Sequence, residues 1–354
     1  MRSTNKASCP FHLLLRLNRL FASISMESSS GTAPEVLHDL SPFFKIFKDG
    51  SIERLSGELK EPPCWDPTTQ VNSKDVLYSS ELNLTCRVYL PHMADPTRKL
   101  PLLVYFHGGA FLIESHISPT YHHHLNKLVA EANVVAVSVG YRLAPEHPIP
   151  TAYEDSWSAL KWVAANGGGS EDWINSYADL SRVFLAGDSA GANICHHMMR
   201  RNSDEKLVGI NIVGTVLVHP YFWSDEPLQN ETTEPEKREV LADIWRVANP
   251  SSKGCNDLSI NPHLDPKFGH LGCRKVLVIV AEKDLVRERG LHYYEKLKES
   301  GFGGAVDFFE SKGENHCFHL PNWEGEKAVA MLKKISSFIR ENGADEGVIR
   351  IMQG

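Results

Sequence analysis

No two cysteines in this chain are spaced as a dithiol or metal-binding pair, and the seven present are scattered and odd in number. That pattern excludes a recognisable zinc site, predicts no metal or cofactor, and favours a reduced compartment. Long apolar runs are also missing, since none approaches the roughly 20 residues that a membrane-crossing helix needs. Basic excess is missing as well: 37 Lys and Arg face 44 Asp and Glu, for a net charge of −7. Nucleic acid is therefore not an expected partner. Internal repeats are absent, and low complexity is confined to residues 28–30 and 167–169. With 354 residues and 42% hydrophobic content, the chain can bury one large core.

What is present is concentrated at residues 183–191. Val183, Phe184, Leu185 and Ala186 form an apolar strand signal that runs into Gly187-Asp188-Ser189-Ala190-Gly191. A strand-to-helix reversal sharp enough to lift Ser189 above a sheet leaves no room for β-carbons at Gly187 and Gly191. The following residues, 192–199, contain neither proline nor glycine and read as helix. Ser189 is thus the candidate nucleophile.

A serine hydroxyl needs a base to take its proton, and the base needs a carboxylate to fix its tautomer. In strand-turn-helix hydrolases the chain order is Ser, then Asp or Glu, then His. Residues 275–281 form a continuous apolar run followed by Glu282-Lys283-Asp284, so Asp284 is the expected acid, with Glu282 as its nearest competitor. Residues 306–309 lead into a polar loop that carries His316, the expected base. The other histidine groups, His122 to His124 and the pair His196 and His197, fall in or beside helical segments and read as packing residues. The oxyanion needs fixed N–H donors. Gly108, Gly109 and Ala110, which follow the strand-like residues 102–106 and His107, are candidates together with Ala190, the residue after the nucleophile.

Strand-like segments at residues 84–90, 102–106, 134–141, 183–186, 212–218, 275–281 and 306–309 alternate with helical patterns, residues 153–163 among them. The expected class is α/β, a mostly parallel, doubly wound sheet with helices on both faces and catalytic loops at the strands' carboxyl ends. Residues 1–33 stand apart. Up to Ser25 they carry Arg2, Lys6, Arg16 and Arg19 with no acidic residue, and Leu13, Leu17, Leu20 and Ile24 share one helical face. This composition suggests an organellar transit peptide, mitochondrial or plastid. The competing expectation is an unprocessed extension of an intracellular, cytoplasmic protein, with Met26 as an alternative start.

Taken together, His107-Gly108-Gly109, Gly187-Asp188-Ser189-Ala190-Gly191, Asp284, His316 and Tyr141-Arg142-Leu143-Ala144-Pro145-Glu146-His147-Pro148 make the chain resemble the plant carboxylesterases, in the hormone-sensitive-lipase-like branch of the α/β-hydrolase fold. Residues 41–55 resemble that group too. The resemblance implies an α/β-hydrolase domain over residues 34–342, a cap from about 34–73 and 224–254, and a tail at 343–354. It implies hydrolysis of small to medium acyl esters through an acyl-enzyme, with a small-molecule ester as the partner. Related proteins of other activity share the pattern: 2-hydroxyisoflavanone dehydratases, tuliposide-converting acyl-transfer enzymes and gibberellin receptors, the last of which lack the histidine found here as His316. One departure stands out. The family has a third glycine where this chain has Ala110, whose β-carbon penalises a positive φ.

Overall fold

The computed structural model describes residues 34–166 and 171–341. The expected transit peptide and the expected C-terminal tail lie outside these residues. Nine strands form the main sheet: β4 (Trp65–Asp66), β5 (Val71–Ser79), β6 (Leu84–Pro91), β7 (Leu100–Phe106), β8 (Val135–Val139), β9 (Ala178–Asp188), β10 (Ile212–Val218), β11 (Lys275–Ala281) and β12 (Ala305–Ser311). Their spatial order is β12-β11-β10-β9-β7-β8-β6-β5-β4. Pairing is parallel from β8 through β7, β9, β10 and β11 to β12, and antiparallel among β8, β6, β5 and β4. The sheet is thus mostly parallel, and all seven expected strands lie in it.

The inner parallel strands are buried on both faces, so they read as nearly unbroken apolar runs. Strand periodicity of two then divides each run between two cores. On β7, Leu102, Val104 and Phe106 enter one cluster while Leu103 and Tyr105 enter the other. The first cluster is covered by α2 (Thr151–Ala165), the short α3 (Asp172–Tyr177), α4 (Ala190–Asp204) and α6 (Arg287–Glu299). The second is covered by α1 (Pro119–Ala132) and α7 (Glu326–Arg340). On α7 the buried residues Ala328, Met331, Ile335, Phe338 and Ile339 recur at helical spacing, giving one apolar stripe turned to the sheet.

The N-terminal region expected to be cap divides in two. β1 (Val36–Leu40), β2 (Phe44–Phe47) and β3 (Ile52–Arg54) form a separate antiparallel sheet, whereas β4 and the start of β5 join the edge of the main one. The other expected cap segment contains α5 (Pro235–Ala248). Side chains tie these pieces down: His38 pairs with Asp243 at 2.6 Å, and Arg54 reaches Glu146 at 2.7 Å while donating to the carbonyls of Leu112 and Ala144. Behind α5, Glu231 is fully buried between Arg238 and Arg289. Both guanidinium groups also stand over the Trp223 ring.

Candidate active site

β9 delivers Asp188 and then reverses. Ser189 adopts φ 53° and ψ −117°, outside the regions an L-residue favours. The distortion is held by its neighbours: the Ser189 N–H donates to Val218 O at 2.8 Å, and its carbonyl accepts from Asn193 and Tyr221. Gly191 is required because a β-carbon there would lie 2.0 Å from Phe106 O. The glycine spacing therefore lets α4 start directly against the end of β7.

The sequence-nominated trio meets. Ser189 Oγ lies 2.9 Å from His316 Nε2, and His316 Nδ1 lies 2.6 Å from Asp284 Oδ2. These partners fix the tautomer, with Nδ1–H donating to the carboxylate and the serine hydroxyl donating to Nε2. The Val286 N–H donates to Asp284 Oδ1 at 3.0 Å, orienting the acid in turn. Glu282, the competitor for the acid, instead accepts from the Gly313 N–H.

Burial by itself would depress the His316 pKa, but the Asp284 charge and hydrogen bond, with Asp188 behind, outweigh it and hold the imidazole above its ordinary value. Desolvation is incomplete because 41% of the side chain is open to solvent. Burial would raise Asp284, yet His316, His219 and the Val286 N–H hold it below the carboxylate norm. A base raised and an acid lowered by each other is an ion-pair arrangement ready to carry an imidazolium.

The glycine loop places three successive residues at positive φ: Gly109 at 99°, Ala110 at 58° and Phe111 at 64°. The strain anticipated at Ala110 is therefore present, at about 1–2 kcal/mol for a β-carbon in this region. Among the described residues, the N–H groups of Gly109, Ala110 and Ala190 have no hydrogen-bond partner. Gly108 differs from the expectation for it, because its N–H is taken by Tyr121 Oη at 2.7 Å. Its amide is committed to holding the loop.

Sequence reasoning missed the residues behind these groups. Tyr105 and Tyr121 both donate to the Asp188 carboxylate, at 2.7 and 2.8 Å. His219 Nδ1 accepts from the Cys317 N–H at 2.9 Å, and Tyr141 stacks on His107 with centroids 4.2 Å apart. Asp188, His107 and Tyr141 carried a signal, their places inside the quoted motifs, whereas Tyr105, Tyr121 and His219 carried none. Ligand atoms of His219, His316 and Cys317 lie within 4.8 Å of one another. They do not suit a resident cation, since both His316 nitrogens serve the trio and His219 Nδ1 is already an acceptor.

Several aromatic residues in and beside the expected cap segments serve packing. Phe44, Trp223 and Trp245 are buried, while Phe43 is exposed. Trp245 on α5 meets Phe111 of the glycine loop edge-on at 6.2 Å, which ties α5 to the loop. His122, His124 and His196 are buried on α1 and α4, as their helical positions suggested.

Fold and geometry together describe a hydrolase of the nucleophile-elbow type, and comparison with known proteins agrees. The alpha/beta hydrolase fold family matches residues 103–320. The chain is 50% identical over 323 residues to Probable carboxylesterase 13 of Arabidopsis thaliana, covering 86% of this chain and 98% of that protein. It is 39% identical over 327 residues to 2-hydroxyisoflavanone dehydratase of Glycyrrhiza echinata, covering 89% and 100%. Among solved structures, the thermostable carboxylesterase EstE1 from a metagenomic library matches with TM-score 0.63 and 31% identity, over 80% of this chain and 90% of that one. The chain belongs to the α/β-hydrolase fold family and, within it, to the plant carboxylesterases. Among the described residues, no helix is long and apolar enough to cross a membrane.

Proposed function

We propose that the protein is a serine carboxylesterase in which Ser189, His316 and Asp284 form the catalytic trio. Ser189 Oγ attacks the ester carbonyl as His316 Nε2 takes its proton. The negative charge that develops on the carbonyl oxygen falls to the N–H groups of Gly109, Ala110 and Ala190. Collapse expels the alcohol, which receives the proton from His316, and leaves an acyl group on Ser189. Water then attacks with His316 again as base, releasing the acid and the free serine. Asp284 keeps the imidazole in its tautomer and stabilises the imidazolium.

The observation that carries this reading is the unbroken hydrogen-bond chain from Ser189 to His316 to Asp284, at 2.9 and 2.6 Å. It weighs against a hormone receptor, which has no use for a poised base. Small to medium acyl groups are the proposed substrates, and β1–β3 with α5 the proposed cap. A dehydratase activity is the second reading, favoured by the 39% identity to 2-hydroxyisoflavanone dehydratase. The composition of residues 1–33 supports delivery to an organelle.

The test is turnover of p-nitrophenyl acetate and butyrate by wild type and Ser189→Ala, with product masses recorded for a 2-hydroxyisoflavanone. The expected result is ester turnover that disappears with Ser189. Equal turnover by both proteins, or dehydration without ester cleavage, overturns the proposal.

A further inference from the structure

We propose that Asp188 is a positioning residue that keeps three catalytic loops in register, gripping the oxyanion loop through Tyr121 and the base loop through Cys317. This rests on the hydrolase reading and deepens it. Asp188 is 1% exposed, and its side-chain hydrogen-bond partners are two tyrosine hydroxyls and a thiol rather than a cation. A buried carboxylate without a paired cation carries a heavy desolvation penalty. Its surroundings must therefore be closely determined, and they connect three separate segments.

The first segment is the elbow, since Asp188 precedes Ser189 in the chain. The second is the oxyanion loop. Gly108 N–H donates to Tyr121 Oη at 2.7 Å, and that hydroxyl donates onward to Asp188 Oδ2 at 2.8 Å. The carboxylate also packs on the loop itself, because a β-carbon on Gly108 would lie 2.5 Å from Oδ2. The third is the base loop, where Cys317 follows His316 directly and sits at φ 49°. Its thiol donates to Asp188 Oδ2 at 3.6 Å, and its N–H donates to His219 at 2.9 Å. Through these contacts, a shift of Asp188 would move the base and the oxyanion donors relative to the nucleophile.

Asp188 also acts on charge. The groups facing His316 are Ser189 on the elbow, Asp284 after β11, His219 after β10, Cys317 and His319 on its own loop, and Asp188 at the end of β9. Of these, Asp284 and Asp188 supply the negative charge that favours the imidazolium, Asp284 by direct contact and Asp188 from behind. Replacing Asp188 by Asn removes that charge while keeping the shape. His316 then binds its proton less tightly, so the acid limb of kcat/KM moves to lower pH. A merely structural lesion would not move that limb.

The experiment measures kcat, KM and the pH profile of kcat/KM on p-nitrophenyl butyrate, plus inhibition by a trifluoromethyl ketone, which forms an oxyanion on Ser189. Wild type is compared with Tyr121→Phe, Cys317→Ala, Asp188→Asn and the double variants. Because misplacing reacting groups by about 1 Å costs on the order of 100-fold, Asp188→Asn is expected to lose about that factor in kcat, with its acid limb displaced downward. Tyr121→Phe is expected to lose roughly 10-fold in kcat and in ketone affinity with KM within about 2-fold, the pattern of a transition-state effect. In the Asp188→Asn background, Tyr121→Phe is expected to add little, as residues in one network are non-additive. Wild-type kcat with an unmoved limb in Asp188→Asn, or losses that multiply in full, overturns the proposal. Should Asp188→Asn not fold, the same cycle between Tyr121→Phe and Cys317→Ala decides: coupling supports the hub, and full multiplication overturns it. An inactive wild type defeats the hydrolase reading instead.

Discussion

The ends of β9, β11 and β12 and the proposed cap elements β1–β3 and α5 are held in different ways. The strand ends inherit their positions from a continuous parallel ladder running through β9, β10, β11 and β12. Ser189, Asp284 and His316 follow three of those strands, so backbone pairing brings them within hydrogen-bond reach. The cap is tied down by side chains: His38 to Asp243, Arg54 to Glu146 and the buried Arg238–Glu231–Arg289 group. The difference teaches that reactivity and cap stability are separable here. A side-chain change at a strand end removes chemistry without loosening the ladder, whereas one in the cap loosens a unit without touching the reacting atoms.

The largest expected effect tests the strand ends. Asp284→Asn leaves His316 without the carboxylate that fixes its tautomer, and kcat should fall by about 10⁴-fold while thermal melting stays close to wild type. A melting temperature that collapses with activity would break the comparison. Where α6 anchors the proposed cap, Arg289→Met removes one arm from the fully buried Glu231 carboxylate. Breaking such a group costs about 3–5 kcal/mol, towards the lower end here because Arg238 remains. Denaturant unfolding should show that loss, with kcat of the folded fraction near wild type.

The pH profile sharpens the strand-end side. Only the neutral imidazole can take the Ser189 proton, and Asp284 holds His316 above its ordinary value of 6.5. Activity should therefore be full at alkaline pH and lost on acidification, with the kcat/KM midpoint above 6.5. A midpoint at or below that value would show that the Asp284 carboxylate does not govern the base. The smallest effect lies where the two regions meet. Ala110→Gly relieves a β-carbon at φ 58° and should stabilise by up to about 1–2 kcal/mol, measured as a shift in denaturation midpoint, with a modest rise in kcat.

Much of the fold was legible because parallel strands buried on two faces must be apolar throughout. The runs at residues 183–186, 212–218 and 275–281 announce themselves without any partner in view. The trio was legible for a related reason: Ser189 sits in a turn whose glycines have a steric purpose, and Asp284 and His316 directly follow strands. The edge strands were harder. β4 spans only two residues and most of β5 is half-buried rather than an apolar run, so neither reads as a strand, although both complete the edge of the main sheet. On sequence alone Gly108 reads with Gly109 and Ala110 as an oxyanion donor because all three offer amides. Nothing local shows that Tyr121, thirteen residues later on α1, takes the first of them.

By itself the sequence determined the α/β alternation, the sharp turn at Ser189 and the places of Asp284 and His316 just past strands, because these follow from local sterics and strand periodicity. Tertiary structure alone decided which amides of the glycine loop keep no partner, what holds β1–β3 and α5, and how Tyr105, Tyr121 and Cys317 gather around Asp188. Those contacts join residues up to 129 positions apart. Their distances are set by how helices and loops pack on the sheet, and no local pattern encodes them.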